Sequence, residues 1–501
     1  MINVLQLGLT NWAQKYRISD QIKWEFNSLP LISKKDRYSV VIVSGKVNLT
    51  GQQWEQLHWL VDPYCVLYVP GVEKQLTNEG KYFLNSQMAQ PITEDIQHLI
   101  DHLPRRYFFG QSGIRIPVST LMLNRNVETY EYIDSAHLKL DVDTKKWINI
   151  GNYRSNLYLD PKRLIKMWLE YQQHNVQIRL HGFIQPGGGD GDPLKDNFII
   201  DMDSLMNEIQ LPVELHDEPR FASISLEIKG QGQVIIGNLH SRWSREGYGD
   251  YIAGGQRLVN EKSREEIAYY FNPGDLRPPL NVYFSGARSL EGFEAYPTFR
   301  KLHTPTILFT DPRLEVGQFY TTPEMESQIK NVINNVLKKL GFDQSQLIMN
   351  GISMGTYPAI RLGSQLGAYM INVAKPIANL GLVARRGRLE RPNEFETIYD
   401  IDHRLIASFD DSVLDELDEY FWDVFNQQDL TQTRLFIGYM ADDDYDNQAI
   451  EKLKRSPAVR KAKQFAYKGF PGHHNDSQEV NKWFLNRLKH VLKDDFNREV
   501  E

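Results

Sequence analysis

The chain contains almost no cysteine, with only Cys65 among its 501 residues. A single cysteine excludes an intrachain disulfide, and its position in the apolar run 61–69 predicts a buried strand residue. The chain also has no excess of positive charge, because its formal net charge is −7. This charge balance argues against a dedicated nucleic-acid binder, so we predict no nucleic-acid partner.

Long hydrophobic runs are also missing. No stretch approaches the apolar length that a membrane span needs, and residues 1–6 carry neither the basic segment nor the apolar core of a signal peptide. We therefore expect a cytoplasmic protein. The Gly/Asp-rich segment 186–193 matches the spacing of neither a phosphate-binding nor a calcium-binding loop, so we predict a surface loop there and no metal site.

The most informative segment is Gly351-Ile352-Ser353-Met354-Gly355, which follows a short apolar run. Gly-x-Ser-x-Gly is the pattern of a nucleophile elbow, in which the serine occupies a strained turn between a strand and a helix. The pattern alone is weak evidence, but its flanks strengthen it. Apolar residues at helical spacing over 329–340 predict a preceding helix, and 354–366 predict a following one.

A nucleophilic serine needs a general base, and the base needs an orienting acid. In α/β-hydrolases the acid and then the histidine follow the serine along the chain, each after a later strand. One strand-like run precedes Asp442, Asp443 and Asp444, among which we favour Asp443. The next such run precedes His473 and His474, of which only one can face the serine.

The oxyanion of a tetrahedral intermediate needs backbone N–H donors. Met354, directly after the serine, would supply the first, and a loop after an early strand normally supplies the second. The strand-like run 280–284 precedes Gly286 and Ala287, and either residue is a candidate. An ordinary strand-end glycine is the alternative interpretation of Gly286.

We predict an α/β protein with three parts. They are an N-terminal α/β region at 1–210, a small β-sandwich-like module at 211–275 and a C-terminal α/β-hydrolase domain at 276–501. In the first part, strands at 39–43 and 65–69 are expected to flank a helix at 51–60.

Two further expectations concern the region before the catalytic domain. A helix is expected at 161–173, followed by a strand at 176–184. In the β-sandwich-like module, Trp243, Tyr248 and Tyr251 either form an aromatic face that binds glycans or pack inside a spacer.

The late serine motif, the acidic run and the closing His-His pair together resemble the second Asp-type family of the accessory Sec system. The segments that carry the resemblance are 350–355, 438–446 and 472–476. Such proteins serve the export of serine-rich repeat adhesin glycoproteins in Gram-positive bacteria and are implicated in acetylating N-acetylglucosamine on them. The resemblance implies Ser353 as nucleophile, Asp443 as acid and His473 or His474 as base, although a glutamate can occupy the acid position in that family.

The resemblance also implies partners. These are the other accessory Sec proteins and the serine-rich repeat glycoprotein, with peripheral association at the membrane translocase compatible with this role. We predict no tightly bound cofactor, and acetyl-CoA is one candidate acyl donor. The triad does not distinguish a sugar hydroxyl from water as acceptor. A free-standing cytoplasmic serine esterase and a non-catalytic scaffold of the export complex are therefore the alternatives.

Overall fold

Three β-sheets follow one another along the chain in a computed structural model. The structure describes residues 1–27, 37–187, 196–205, 209–211, 218–314, 317–391, 394, 397–406, 408 and 410–499. Most of the predicted loop at 186–193 therefore lies outside the described residues. In the described part of the chain, no helix combines the length and the apolar character that crossing a membrane requires.

The first sheet is parallel and has five strands, which we call the parallel sheet. In spatial order the strands are Ile22–Phe26, Ile2–Leu7, Val40–Val43, Val66–Tyr68 and Gln90–Pro91. The connecting helices are Gly51–Leu60, Asn78–Ser86 and Ile96–Arg106. The predicted strands and the helix at 51–60 are confirmed, and Cys65 is buried as expected. Thr50 begins that helix with a capping box, which satisfies backbone N–H groups that the helix itself leaves unpaired.

The second sheet is antiparallel and has nine strands, which we call the antiparallel sheet. Along the chain the strands are Gly113–Ile116, Leu121–Leu123, Tyr130–Asp134, His137–Tyr153, Leu157–Leu159, Ile165–Pro186, Asp196–Asp201, Ile209–Gln210 and Arg220–Trp243. The helix predicted at 161–173 is wrong, because most of this segment is the first half of the 22-residue strand Ile165–Pro186. Residues 165–171 are all buried although they include Lys166 and Glu170, so the segment shows no alternation that would distinguish a strand from a helix.

The predicted β-sandwich at 211–275 is also wrong. Arg220–Trp243 belongs to the antiparallel sheet, whereas Gln256–Val259 and Glu266–Asn272 belong to the third sheet. A strand pattern in the sequence does not specify the sheet in which a strand pairs. The division of the chain at 210 and 275 stays a prediction, although the second boundary falls between two strands of one sheet.

The aromatic residues of the same segment pack inside the protein. Tyr251 is buried and makes an edge contact with Phe293, while Trp243 makes one with Phe108. Tyr248 contacts the ring of Tyr107. The structure thus matches the spacer interpretation of these aromatics rather than an exposed glycan-binding face.

The third sheet has eight strands, which we call the mixed sheet. In spatial order they are Gln256–Val259, Glu266–Asn272, Thr306–Thr310, Leu280–Phe284, Leu347–Ile352, Met370–Ala374, Arg434–Met440 and Gln464–Phe470. Only Glu266–Asn272 runs opposite to the other seven. The central strands of the mixed sheet are buried along their whole length, as expected for parallel strands that helices cover on both faces.

Helices connect and cover the strands of the mixed sheet. They are Tyr296–Arg300, Pro323–Leu340, Thr356–Leu366, Leu380–Glu390, Ile398–Ile406, Leu414–Asn426, Ala449–Arg455, Pro457–Arg460 and Gln478–Phe496. A further short helix, Met202–Leu205, accompanies the antiparallel sheet. The helix predicted before the serine motif is confirmed, with Ile329, Ile333 and Leu337 buried and Gly341 ending it in the left-handed conformation.

Candidate functional site

Ser353 lies on the turn between the strand Leu347–Ile352 and the helix Thr356–Leu366. Its φ of 55° falls in the left-handed region, which is strained for a residue with a side chain. A Cβ on Gly351 would lie 2.2 Å from the carbonyl oxygen of Gly355, and one on Gly355 would lie 2.0 Å from that of Phe284. Both positions therefore require glycine, and the predicted elbow geometry is present.

His474 lies beside the serine. Its Nε2 is 2.8 Å from Ser353 Oγ, and its Nδ1 is 3.0 Å from Asp443 Oδ2 and 3.2 Å from Oδ1. Because Nδ1 faces a carboxylate, it carries the proton and donates to Asp443, which leaves Nε2 to accept from the Ser353 hydroxyl. The imidazole is 2% exposed, so it is held among protein groups rather than in bulk water.

Asp443 follows the strand Arg434–Met440 and is held from two sides. Its Oδ1 accepts the backbone N–H of Tyr445 at 2.8 Å and that of Asp446 at 3.1 Å. These bonds fix the carboxylate in the orientation that meets His474 Nδ1. The carboxylate is buried, and its position matches the favoured member of the three-aspartate cluster.

The two neighbouring aspartates have other contacts. Asp442 accepts from His473 Nδ1 through its backbone carbonyl oxygen at 2.9 Å. Asp444 Oδ1 accepts the backbone N–H of His474 at 2.9 Å, and its Oδ2 pairs with Arg391 at 3.1 Å. Asp444 thereby positions the backbone of the loop that carries His474.

His473 is exposed and does not contact the serine in the structure. Its backbone N–H donates to Asp476 Oδ2 at 2.8 Å, which ties down the turn before His474. Successive residues of this irregular loop point in different directions, so only one imidazole reaches Ser353. Sequence spacing left this choice open, and the three-dimensional arrangement assigns the contact to His474.

The predicted oxyanion donors border the same space. Met354, Gly286 and Ala287 line the cavity at Ser353, and a Cβ on Gly286 would lie 3.9 Å from that of Ser353. The Gly286 N–H donates to Glu294 Oε1 at 3.2 Å, and the same oxygen accepts from Tyr283 Oη. The N–H of one predicted oxyanion donor is therefore already hydrogen-bonded to a carboxylate oxygen.

The cavity at Ser353 has a volume of about 520 Å³, which is within the range of small-molecule sites. We call it the serine cavity. Its wall combines charged, amide and aromatic groups. Besides the residues already described, it includes Ala295, Thr298, Phe299, Phe319, Lys375, Glu394, Asn475, Asn481, Phe484 and Leu485. The mixture provides both hydrogen-bonding groups and apolar contact area for a ligand.

Sequence reasoning missed Lys375 and Glu294. Lys375 directly follows the strand Met370–Ala374, and its Nζ donates to Ser477 Oγ at 2.7 Å. Burial lowers the pKa of Lys375, while the nearby Asp443 and Glu294 carboxylates oppose that change. Its position at the carboxyl end of a parallel strand, where ligands of open α/β sheets bind, was the signal that could have identified it.

Asp446 is a third missed residue and holds the acid loop in place. It is buried and accepts the backbone N–H groups of Ala378 and Asn379, both at 2.8 Å. Burial raises the pKa of its carboxyl group, while these bonds oppose the rise. Asp446 therefore links the loop after Arg434–Met440 to the loop after Met370–Ala374.

The fold and the site together define a mixed α/β protein with a hydrogen-bonded serine, histidine and aspartate. These residues lie after three strands of one sheet, beside a cavity. A family model for the accessory Sec system GspB-transporter, the second Asp type, matches residues 2–498. The chain therefore belongs to this family of accessory Sec system GspB-transporters, as the sequence motifs predicted.

Relatives of the chain match it along nearly its whole length. The accessory Sec system protein of the second Asp type from Staphylococcus aureus is 31% identical over 99% of this chain and 97% of its own. The protein of the same type from Streptococcus gordonii is 31% identical over 99% of each chain. A chain of the glycosylation-associated protein Gap123 complex from Streptococcus agalactiae has a TM-score of 0.88, 31% identity and 99% coverage of both chains.

Proposed function

We propose that this chain O-acetylates N-acetylglucosamine on serine-rich repeat glycoproteins through an acyl-enzyme on Ser353 and supports their export. The observation that carries the chemistry is the contact of Ser353 Oγ with His474 Nε2 at 2.8 Å, backed by Asp443. Membership of the accessory Sec system GspB-transporter family supports a role in export. The substrate class and a cytoplasmic location are part of the proposal.

The strand order of the mixed sheet supports an α/β-hydrolase domain. Numbered along the chain, its strands lie in the order 1-2-4-3-5-6-7-8, and strand 2 alone is antiparallel. The elbow serine follows strand 5, and the acid and the histidine follow strands 7 and 8. This is the chain order Ser, Asp, His of α/β-hydrolases.

In the first half of the proposed reaction, Ser353 Oγ attacks the acyl carbonyl of the donor while His474 Nε2 takes the hydroxyl proton. Asp443 stabilises the resulting imidazolium through Nδ1–H. The bond between the acyl carbon and the leaving group then breaks, and His474 returns the proton to that group. The products are the Ser353 acyl ester and the protonated leaving group.

In the second half, a sugar hydroxyl attacks the ester carbonyl and gives its proton to His474. The bond to Ser353 Oγ breaks, and the proton returns to Oγ. In both tetrahedral intermediates the N–H of Met354 and one from Gly286 or Ala287 would stabilise the oxyanion. If Gly286 serves, the carboxylate of Glu294 must leave its N–H during the reaction.

A free-standing esterase is the alternative when water replaces the sugar, since the same three side chains serve both reactions. The related chain in the Gap123 complex favours a partner-bound protein. We therefore propose the other accessory Sec proteins as partners.

The experiment is mass spectrometry of the glycoprotein co-expressed with the wild-type chain or with Ser353→Ala. Acetyl groups on N-acetylglucosamine are expected with the wild type and should disappear with the variant. Acetylation that persists with folded Ser353→Ala protein would overturn the proposal. An unmodified glycoprotein together with Ser353-dependent ester hydrolysis would favour the esterase.

A further inference from the structure

A second cavity adjoins the serine cavity. It has a volume of about 1440 Å³ and lies between the N-terminal helix Gly51–Leu60 and the terminal helix Gln478–Phe496. We call it the basic cavity. Thr298 and Leu485 line both cavities, so the two spaces share a wall on the short helix Tyr296–Arg300 and on the terminal helix.

The terminal helix carries a continuous stripe from one cavity to the other. Asn481 and Leu485 line the serine cavity, and Leu485, Lys489 and Lys493 line the basic cavity. Residues four apart lie on the same face of an α-helix, and twelve residues rise by about 18 Å. A ligand lying along this stripe would therefore extend from the serine cavity to the lysines.

The basic cavity is positively charged, in contrast to the chain as a whole. Its wall carries six arginines and lysines against three aspartates and glutamates, whereas the formal net charge of the chain is −7. The charged wall residues are Arg277, Arg300, Lys301, Lys489, Lys493, Arg498, Glu55, Asp275 and Glu499. Such a concentration of one sign raises the local concentration of anions.

The arginines of this wall already have carboxylate partners. Arg277 and Arg498 both pair with Asp275, and Arg300 pairs with Asp62. Within the described part of the chain, neither Lys301 nor Lys493 forms a salt bridge, and both are exposed. These two lysines are therefore available to a phosphate group, which binds an ammonium as a point charge.

We propose that the basic cavity binds the phosphate end of a coenzyme A thioester, whose acyl end reaches Ser353 along the terminal helix. This inference rests on the proposed function, since it names the acyl donor of the same serine. A coenzyme A thioester carries its acyl group and its phosphates at opposite ends of a long flexible arm. That separation matches two cavities of different charge along one helix.

The transfer from this donor balances without another reactant. Ser353 Oγ attacks the thioester carbonyl, and the carbon–sulfur bond breaks. The thiolate takes the proton that His474 removed from Ser353 and leaves as the free thiol of coenzyme A. Anchoring the phosphates makes the attack effectively intramolecular, which is how remote binding energy accelerates a reaction.

The test measures binding of coenzyme A by calorimetry to full-length Ser353→Ala protein, which separates binding from turnover. The double variant Lys301→Glu/Lys493→Glu should bind at least about tenfold more weakly, because two attractive charges become repulsive. Dephospho-coenzyme A and pantetheine should bind progressively more weakly than coenzyme A to the protein with intact lysines. Thermal denaturation confirms that each variant is folded.

The matched control is Lys338→Glu. Lys338 and Lys493 are both exposed and both lie in the last turn of an α-helix, but only Lys493 lines the basic cavity. Lys338→Glu should leave affinity for coenzyme A unchanged. The inference would be overturned if coenzyme A bound equally well to the protein with intact lysines, to the double variant and to Lys338→Glu. It would also be overturned if coenzyme A bound to none of these three proteins.

Failure of the proposed function has a different signature. In that case wild-type protein shows no Ser353-dependent turnover of a chromogenic acetyl ester, while coenzyme A binding can still depend on Lys301 and Lys493. Conversely, Ser353-dependent turnover together with a coenzyme A affinity that does not depend on Lys301 and Lys493 would support the proposed function and reject this donor site. With an active enzyme, the double variant should raise KM for acetyl-CoA by about tenfold, and added salt should reduce that difference.

Discussion

Two groups of hydrogen-bonded polar side chains differ in their surroundings. At the edge of the mixed sheet, Ser353, His474 and Asp443 form a hydrogen-bonded chain that ends at a cavity. At the junction of the antiparallel and mixed sheets, His240 and Arg242 are enclosed by carboxylates and are fully buried. One group ends at a space that admits a ligand, whereas the other is closed on itself.

The closed group, which we call the junction network, joins residues from both sheets. His240 contacts Glu170 through Nε2 at 3.0 Å and Glu291 through Nδ1 at 2.5 Å. Arg242 donates to Glu291 at 2.7 Å and also pairs with Glu266. His240, Arg242 and Glu170 lie in the antiparallel sheet and Glu266 in the mixed sheet.

The junction network and the Ser353 site differ in the source of the groups that can pair with their side chains. In the junction network every carboxylate has a cation from the same chain, so the group contributes to the relative position of the sheets. In the site, Ser353 Oγ faces a cavity with one end of its hydrogen-bond chain open. We therefore expect substitutions in the site to change activity with little effect on stability, and substitutions in the junction network to do the reverse.

The largest expected effect is that of Ser353→Ala on acyl transfer. Removing the proposed nucleophile should reduce the rate by at least about 10³-fold, since triad members act as a unit. The free energy of unfolding should change by less than about 1 kcal/mol, because the hydroxyl contributes little packing. Turnover of a chromogenic acetyl ester and urea denaturation measure the two quantities. Retained turnover in a folded variant would remove Ser353 as nucleophile.

The adjacent histidines provide a matched pair within the site. His474→Ala should cost about as much activity as Ser353→Ala, because no other base contacts the hydroxyl in the described part of the chain. His473→Ala should reduce activity only a few-fold, because that imidazole is exposed and bonds a backbone carbonyl. Parallel kcat measurements on both variants provide the comparison. Similar mild losses in the two would mean that the base lies elsewhere.

In the junction network, Arg242→Ala should destabilise the protein by about 3–5 kcal/mol. Removing one partner leaves Glu266 and Glu291 with less compensation for their burial. Lys139→Ala is the control in the same sheet, because its pair with Glu131 is partly exposed and 3.8 Å long. The control should change stability by at most about 1 kcal/mol. Equal urea midpoints for the two variants would contradict this role of the network.

The same contrast explains how much the sequence could predict. Around the site, short apolar strands alternate with helices, and the polar residues after each strand converge on one sheet edge. Ser353 and Asp443 were therefore accessible from local patterns, and the choice of His474 needed only the loop geometry. Lys375 was missed because a single polar residue after a strand carries no motif, and Glu294 was missed because it lies ten residues beyond the end of the strand Leu280–Phe284.

In the antiparallel sheet, local patterns predicted the strand segment 176–184 but neither where that strand begins nor how the sheet is paired. Ile165–Pro186 begins with seven buried residues and ends in alternation, so one strand contains two hydrophobic patterns. The local burial pattern also does not reveal that Glu266 and Arg242, in different sheets, are partners. These features depend on contacts between residues far apart in the sequence, which the pattern of a single sequence does not specify.

The smallest expected effect is a pH dependence of the junction network. Burial alone would lower the pKa of His240, but the carboxylates of Glu291 and Glu170 outweigh it and raise the pKa to about 9. A histidine whose pKa is raised by folding contributes stability that is complete below its unfolded pKa and is lost as the pH rises through the folded value. The window therefore runs from about pH 6.5 to about pH 9.

We therefore expect the stability difference between wild type and His240→Gln to shrink by up to about 3 kcal/mol across this window. Glutamine cannot carry the charge that both carboxylates stabilise, so the variant lacks the titration, and comparing the two proteins cancels the contributions of other groups. Urea denaturation at several pH values measures the difference. A difference that stays constant from about pH 6.5 to about pH 9 would mean that His240 is neutral in the folded protein and that the junction network is not held by its charge.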